Sequence, residues 1–274
     1  REAMETGILR MTGICKAFPG VKALDQAQLT VCAGEVHALV GENGAGKSTL
    51  MKILNGLIQP DAGEIVLAGK PCRIKSPAAA KQLGISMIYQ ELNPVRHLTV
   101  SDNLFLGREP AHGRTGLLDH RRQNTEAQAM LDGFGVRIQA KALMKDLSIA
   151  QMQMVEILKA VSGGAKLIVM DEPTSSLADE EIQLLFAKIR ELTARGVAII
   201  YITHRLEELP QIADRITVLR DGRYIGTSPV TGLTRAEMIQ MMVGREVSNI
   251  FPKVDCPIGE TVLEVENLSG ERFR

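Results

Sequence analysis

Residues 41–49 read Gly-Glu-Asn-Gly-Ala-Gly-Lys-Ser-Thr, set between the apolar run Val36–Val40 and a run of helical period from Leu50 to Leu57. A buried-type strand, a glycine-rich turn and a helix in that order make a phosphate-binding loop. Gly41, Gly44 and Gly46 let the backbone adopt positive φ and approach an anion closely, so that consecutive N–H groups point inward. The phosphate-contacting candidates are Gly41, Asn43, Gly44, Ala45, Gly46, Lys47, Ser48 and Thr49. Lys47 can reach β- and γ-phosphate oxygens, the Ser48 hydroxyl can ligand Mg²⁺, and the following helix directs its positive dipole end at the anion. With Gly at about 7% of residues, a chance match to G-x-x-x-x-G-K-[ST] in a chain of this size has odds of about one in a hundred.

A second stretch completes the chemistry. Lys166–Glu172 reads Lys-Leu-Ile-Val-Met-Asp-Glu, a hydrophobic strand ending in two acids. A parallel strand in an open α/β sheet delivers its carboxyl end to the ligand crevice, which puts Asp171 beside the loop as a Mg²⁺ ligand. Glu172 then stands where it can orient or deprotonate a water attacking the γ-phosphate.

Around these two stretches, strand-like runs at Ile8–Ile14, Val36–Val40, Ile85–Tyr89, Lys166–Met170, Val197–Ile202 and Arg215–Leu219 alternate with helical segments. That pattern predicts an α/β sheet covered by helices. Leu50, Ile53, Leu54 and Leu57 form one apolar stripe. Ile182, Leu185, Phe186, Ile189 and Leu192 form another, on a helix from Ala178 to Arg195 that leaves Glu180, Glu181, Lys188 and Glu191 solvated. From Asn93 to Asp146 the strand signal disappears, which predicts an all-α insertion with Leu117–Leu131 as its clearest helix. Met152, Met154, Met238, Met241 and Met242 fall within helical segments and are expected to pack rather than ligate metal.

Of 274 residues, 45% are apolar, and 32 Lys plus Arg balance 32 Asp plus Glu. This is an ordinary globular composition, and the zero net charge argues against a nucleic-acid partner. Cys15, Cys32, Cys72 and Cys256 show no metal-ligand spacing. No apolar run approaches the ~18 residues of a membrane span, so membrane contact is expected to go through a partner. Thr261–Leu268 repeats the pattern of Gly7–Ile14 after a Pro-containing stretch, as the first strand of a second copy would.

The motifs together resemble the nucleotide-binding subunits of ATP-binding cassette (ABC) transporters. Asp171-Glu172-Pro173-Thr174 is similar to the family's Asp-Glu-Pro-Thr. Leu147-Ser148-Ile149-Ala150-Gln151, ending 16 residues before Leu167, stands where the family keeps Leu-Ser-Gly-Gly-Gln. Gln90 matches the glutamine loop that senses Mg²⁺ and the transmembrane partner, His204 the switch histidine, and Phe18, 29 residues before Lys47, the aromatic that stacks on adenine. The resemblance implies a P-loop NTPase fold of ABC ATPase type, with a RecA-like core sheet, an antiparallel β subdomain and an inserted α-helical subdomain. It implies ATP and Mg²⁺ as ligands, Glu172, His204 and Gln90 as catalytic residues, and Ser48, Gln90 and Asp171 as the metal site. Ser148 and Gln151 would face a nucleotide held by an opposing module.

The departures are as informative. Ile149 and Ala150 replace both signature glycines, and in the D-loop Ser176-Leu177-Ala178 displaces Asp179 by one, which together imply an asymmetric pair of ATP sites. The Met241–Arg245 stretch, the Gln151–Ile157 pattern and the onset of a second module resemble the tandem-cassette ATPases of bacterial monosaccharide importers of the ribose, galactose and xylose group. On that resemblance residues 7–250 form one cassette with a helical insertion at about 93–160, 251–260 a linker, and 261–274 the start of a second cassette. Implied partners are the second cassette, in the same chain or by homodimerisation, permease subunits and, indirectly, a periplasmic or extracellular sugar-binding protein, with no nucleic acid. The implied place is the cytoplasmic face of the bacterial inner membrane. The alternatives are a soluble ABC-type ATPase acting on nucleic acid or ribosomes, and a regulatory cassette with little turnover.

Overall fold

A tight turn folds residues 9–31 into a hairpin, the start of an antiparallel layer. In the computed structural model, which describes residues 7–90, 93–112, 116–244, 263, 264 and 266, β1 (Leu9–Phe18) and β2 (Val21–Val31) form a hairpin. Pro19 and Gly20, the latter at φ +80°, turn it; Pro then Gly is the pair a type II turn calls for. Strands β4 (Ala62–Leu67) and β5 (Lys70–Pro71) extend the sheet in the order β2-β1-β4-β5.

The second sheet has six strands in the order β10-β9-β3-β8-β7-β6. Its members are β3 (Val36–Val40), β6 (Ile85–Ile88), β7 (Leu167–Asp171), β8 (Ala198–Ile202), β9 (Arg215–Arg220) and β10 (Arg223–Pro229). All are parallel except the β9–β10 pair. β3 and β8 are buried at every position, as strands covered on both faces must be. His37 is tolerated inside because Glu35 and Thr217 bond both its ring nitrogens at 2.7 Å.

One face of this sheet packs on the antiparallel layer, on α1 (Lys47–Leu54) and on Ala80 of α2 (Pro77–Gln82). The opposite face carries α3 (Val100–Phe105), α4 (His120–Gly133), α5 (Ile149–Ser162) and α6 (Asp179–Ala194), with α7 (Leu209–Ile212) and α8 (Arg235–Val243) beside them. Leu50, Met51, Ile53 and Leu54 of α1 are buried. At ~1.5–3 kcal/mol each they fix the helix that carries the phosphate loop.

Several expectations are corrected. The apolar stripe of α1 stops at Leu54: Asn55 caps the helix, Gly56 turns at φ +71°, and Leu57 is 48% exposed. The clearest inserted helix begins at His120, not Leu117, because Leu118 bridges to Ala111 and the Asp119 side chain caps the first turn. That bridge and Thr99↔Leu143 put two isolated β contacts inside the segment read as all-helical. Lys188 is not solvated: it is buried, its ammonium lies 5.0 Å from the Phe134 ring centroid, and it pairs with Glu191. The methionines behave as expected: Met152, Met154 and Met238 are buried, and Met241 and Met242 pack against the apolar cluster that holds Met238. The linker at 251–260, Cys256, and nearly all of 261–274 lie outside the described residues, apart from exposed Leu263, Glu264 and Glu266.

Candidate functional site

At the carboxyl end of β3 the chain must turn sharply into α1, and glycine is required there for two separate reasons. A Cβ on Gly41 would lie 2.2 Å from the Leu219 carbonyl oxygen and 2.9 Å from Ala45 Cβ. Gly46 sits at φ +97°, and a Cβ there would lie 2.7 Å from Leu24 Cδ2 and 2.8 Å from the Ala23 carbonyl oxygen. The loop is therefore wedged between β9 and β2, and its shape is fixed before any ligand arrives.

Helices α2, α3, α4, α5 and α8 each satisfy a first-turn N–H with a capping side chain, from Ser76, Thr99, Asp119, Ser148 and Thr234. α1 has glycine at that position, no side-chain cap and no acid in its first turn. Its N–H groups are left for an external acceptor, which is the chemistry of an anion site. The Lys47 ammonium bridges the Gly41 and Glu42 carbonyl oxygens at 2.7 and 3.0 Å, across the mouth of the loop. Burial holds it below the ordinary lysine range, while Glu172 and Asp171 pull the other way.

The second strand ends where the sequence places its acids. Asp171 pairs with Ile202 in the parallel ladder, and burial, reinforced by the neighbouring Glu172 charge, pushes its carboxyl up against the pull of Lys47. Glu172 leaves the strand at φ +47°, a left-handed conformation of the kind that costs of order 1 kcal/mol in a residue with a side chain. Its N–H donates to the Ile202 carbonyl at 2.9 Å. Its carboxylate is held from both sides: Gln90 Nε2 donates to Oε2 at 2.9 Å, and His204 Nδ1 lies 3.0 Å from Oε1. Three residues far apart in sequence, 90, 172 and 204, thus meet at one carboxylate.

The candidate donors for a metal are hard oxygens: the exposed Ser48 hydroxyl, Asp171, and Gln90 Oε1, left available because Gln90 uses its Nε2 on Glu172. No cluster of three or more His, Cys, Asp or Glu able to hold a metal exists among the described residues. One carboxylate with a hydroxyl and an amide suits Mg²⁺, which keeps waters and substrate phosphates as its other ligands, and does not suit zinc.

Phe18 stands at the tip of the β1–β2 hairpin and is 41% exposed, as a stacking platform must be and a core residue is not. Lys16 Nζ lies 5.7 Å from its ring centroid and is tied to Asp61 at 2.7 Å. Ser148 and Gln151 do not join this cluster. They bond each other across the first turn of α5, Ser148 N donating to Gln151 Oε1 at 2.9 Å and Gln151 N to Ser148 Oγ at 3.2 Å. The signature pair also divides: Ile149 is 49% exposed, whereas Ala150 is buried in the helical layer.

Sequence reasoning missed the Lys16–Asp61 tether, the Asn55 Nδ2 donation to Tyr89 OH at 2.8 Å, which ties the end of α1 to the residue before Gln90, and buried Glu208. Nothing marked the first two. Glu208 was unmarked as well, since it stands beside Glu207 as the second of two acids after Leu206.

The electrostatics predict a trade of stability for binding. The folded-state pKa of Asp171 lies above its unfolded value, so the protein loses stability as pH rises from one to the other, and at neutral pH the penalty is fully present. Asp171→Asn is expected to leave the ligand-free melting temperature unchanged or up to about 3 °C higher. A fall of several degrees in a calorimetric scan at pH 7 contradicts it.

A glycine-rich anion loop between a parallel strand and a helix, with an Asp-Glu pair at the head of a second strand of that sheet, defines a P-loop nucleotide-binding protein. Residues 24–175 match the ABC transporter family. A putative ribose/galactose/methyl galactoside import ATP-binding protein of Rhizobium etli is 54% identical, over 96% of this chain and 51% of its own length. A similarly named protein of Geobacillus kaustophilus is 53% identical over 97% and 53%. Among solved structures, the ADP conformation of an ATP-binding cassette of an ABC transporter superposes with a TM-score of 0.74 at 27% identity, over 87% of this chain and 99% of the other. The chain belongs to the ABC transporter family and has the ABC ATPase fold. It spans about half the length of the curated relatives it matches.

Proposed function

We propose that this chain is an ATP-hydrolysing module that powers import of a monosaccharide through a membrane permease. The observation that carries the reading is the Glu172 carboxylate, fixed between Gln90 and His204 at the end of the strand whose Asp171 interacts with Lys47 of the phosphate loop. The names of its relatives, import ATP-binding proteins for ribose, galactose and methyl galactoside, support the substrate class.

The residues divide the work. Phe18 stacks on adenine, and the loop N–H groups with Lys47 hold the phosphates. Glu172 takes the proton of the attacking water, and Gln90 and His204 orient its carboxylate, with His204 also meeting the γ-phosphate. Ser48, Asp171 and Gln90 would hold Mg²⁺, which when bound would compensate charge on the transferring phosphate. A second cassette, in a longer chain or as a second copy, closes the site, and Ser148 and Gln151 face that partner's nucleotide. The assembly lies on the cytoplasmic face of the inner membrane and answers to a sugar-binding protein outside; among the described residues no helix is long and apolar enough to span a membrane.

The test is ATP turnover by the full-length chain reconstituted with its permease in vesicles. Stimulation by a monosaccharide-loaded binding protein is expected. Turnover indifferent to monosaccharides and raised by RNA or DNA overturns the reading.

The split signature sets a further expectation. Ile149→Gly clears an exposed side chain from the face a partner's nucleotide would meet, and is expected to strengthen ATP-driven cassette association. Ala150→Gly clears nothing, because that methyl is buried; it weakens α5 by about 1 kcal/mol, or roughly 2–4 °C in melting temperature. Sedimentation with ATP and thermal scans separate the two. Equal gains in association would show that Ala150 too obstructs the interface.

A further inference from the structure

Glu208 lies outside the ligand site and is buried, with 4% of the residue exposed. Oε1 accepts a hydrogen bond from Thr174 Oγ1 at 2.7 Å; Oε2 accepts from Tyr201 OH at 2.8 Å and from Thr203 Oγ1 at 3.2 Å. Arg205 Nη1 stands 3.6 Å from Oε1. Thr174, Tyr201 and Thr203 are themselves buried. Each hydroxyl belongs to a segment with a part in the site: Thr174 is two residues past Glu172, Tyr201 lies near the end of β8, and Thr203 follows that strand directly before His204.

Burying a carboxylate carries a desolvation cost of several kcal/mol, and an apolar side chain of similar size would fill the space without it. What a carboxylate adds is direction. It only accepts, so three hydroxyls must all turn their protons toward one centre, which locks two backbone segments to each other. The lock is needed where it stands. Glu172 holds a left-handed backbone that persists only if its surroundings over-determine it. The N–H of Glu172 anchors it to Ile202 from one side; the Thr174–Glu208 bond anchors the chain two residues beyond. Arg205 N donates to Thr203 Oγ1 at 2.9 Å, fixing the turn on which His204 sits.

We propose that Glu208 is a positioning residue for hydrolysis: its buried carboxylate ties the Glu172 segment to the His204 segment and so sets the spacing of the Glu172–His204 pair. It acts through those residues and touches no reacting atom. The inference rests on the reading that this site hydrolyses ATP.

The test uses the full-length chain and three variants, Glu208→Gln, Thr174→Val and Thr203→Val. Glutamine keeps the size but offers one oxygen in place of two; the valines each remove one arm and leave the carboxylate in place. The expected result is a fall in the single-turnover rate of about tenfold or more for Glu208→Gln and Thr174→Val, with nucleotide affinity within about threefold of wild type. In a Glu172→Gln background the same changes are expected to cause no further loss, because residues that act as a unit are non-additive. A merely structural Glu208 would instead lower affinity and rate together, or lower the rate equally in both backgrounds, and either result overturns the proposal. If Glu208→Gln does not fold, Thr174→Val decides alone. A readout independent of turnover separates this proposal from the function it rests on: the NMR ring signals of His204 in nucleotide-free protein are expected to move in Thr174→Val. A wild-type chain without ATPase activity in which they move removes the hydrolytic reading but keeps the tie; ring signals that stay in place remove the tie.

Discussion

Replacing Glu172 with glutamine lowers the single-turnover rate of ATP hydrolysis about 10²–10⁴-fold, the range lost with a general base, while nucleotide affinity stays within about threefold. The substitution suits this site. A glutamine fills the same volume, and its amide oxygen can still accept from Gln90 Nε2, which now donates to the carboxylate at 2.9 Å. What it cannot do is take a proton. The barrier therefore rises by about 3–5 kcal/mol at 1.36 kcal/mol per tenfold, with the phosphate contacts of the loop untouched. His204 is the rival base, since its ring is exposed and lies 3.0 Å from Glu172 Oε1. The two assignments part cleanly in rapid-mixing experiments. If Glu172→Gln stays within threefold of wild type while His204→Gln drops by orders of magnitude, histidine is the base and Glu172 only orients it.

The parts of this site legible in the sequence are those where backbone need and side-chain chemistry fall in one short stretch. Gly41–Thr49 could be read because the close approaches at Gly41 and Gly46 require glycine whatever surrounds them. Asp171 and Glu172 could be read because a strand buried on both faces spells itself as a continuous apolar run. Gln90 and His204 entered only through family resemblance, since a lone polar residue after a strand has no periodicity to mark it. Strands β2, β4 and β10 escaped for a related reason. β2 loses its alternation at Asp25-Gln26, where Gln26 sits at φ +55°, β4 is half exposed, and β10 contains Gly226 and Pro229. Their pairing is decided by neighbours rather than by propensity. The left-handed backbone of Glu172 was invisible as well, because nothing in a glutamate announces it.

Lys47→Ala weakens ATP binding by about 100-fold or more, and two terms of the same sign produce that loss. The first is the loss of charge-assisted hydrogen bonds to phosphate oxygens, at about 1.5–3 kcal/mol each, of which two suffice for two decades of affinity. The second comes from what remains. Asp171 and Glu172 interact electrostatically with this ammonium, and Asp171 is already pushed up by burial and by Glu172. Without Lys47 the polyphosphate meets two carboxylates with no cation between them. The second term makes the prediction specific, because it ties the loss to pH: the Lys47→Ala defect is expected to shrink as pH falls toward the raised carboxyl range of Asp171, where protonation removes one repelling charge. Isothermal titration of ATP, without added metal, into wild type and variant at neutral and mildly acidic pH reads both. Near-normal affinity in the variant removes Lys47 from the phosphate site; a large loss that is the same at both pH values keeps Lys47 but places its effect in direct phosphate contact alone.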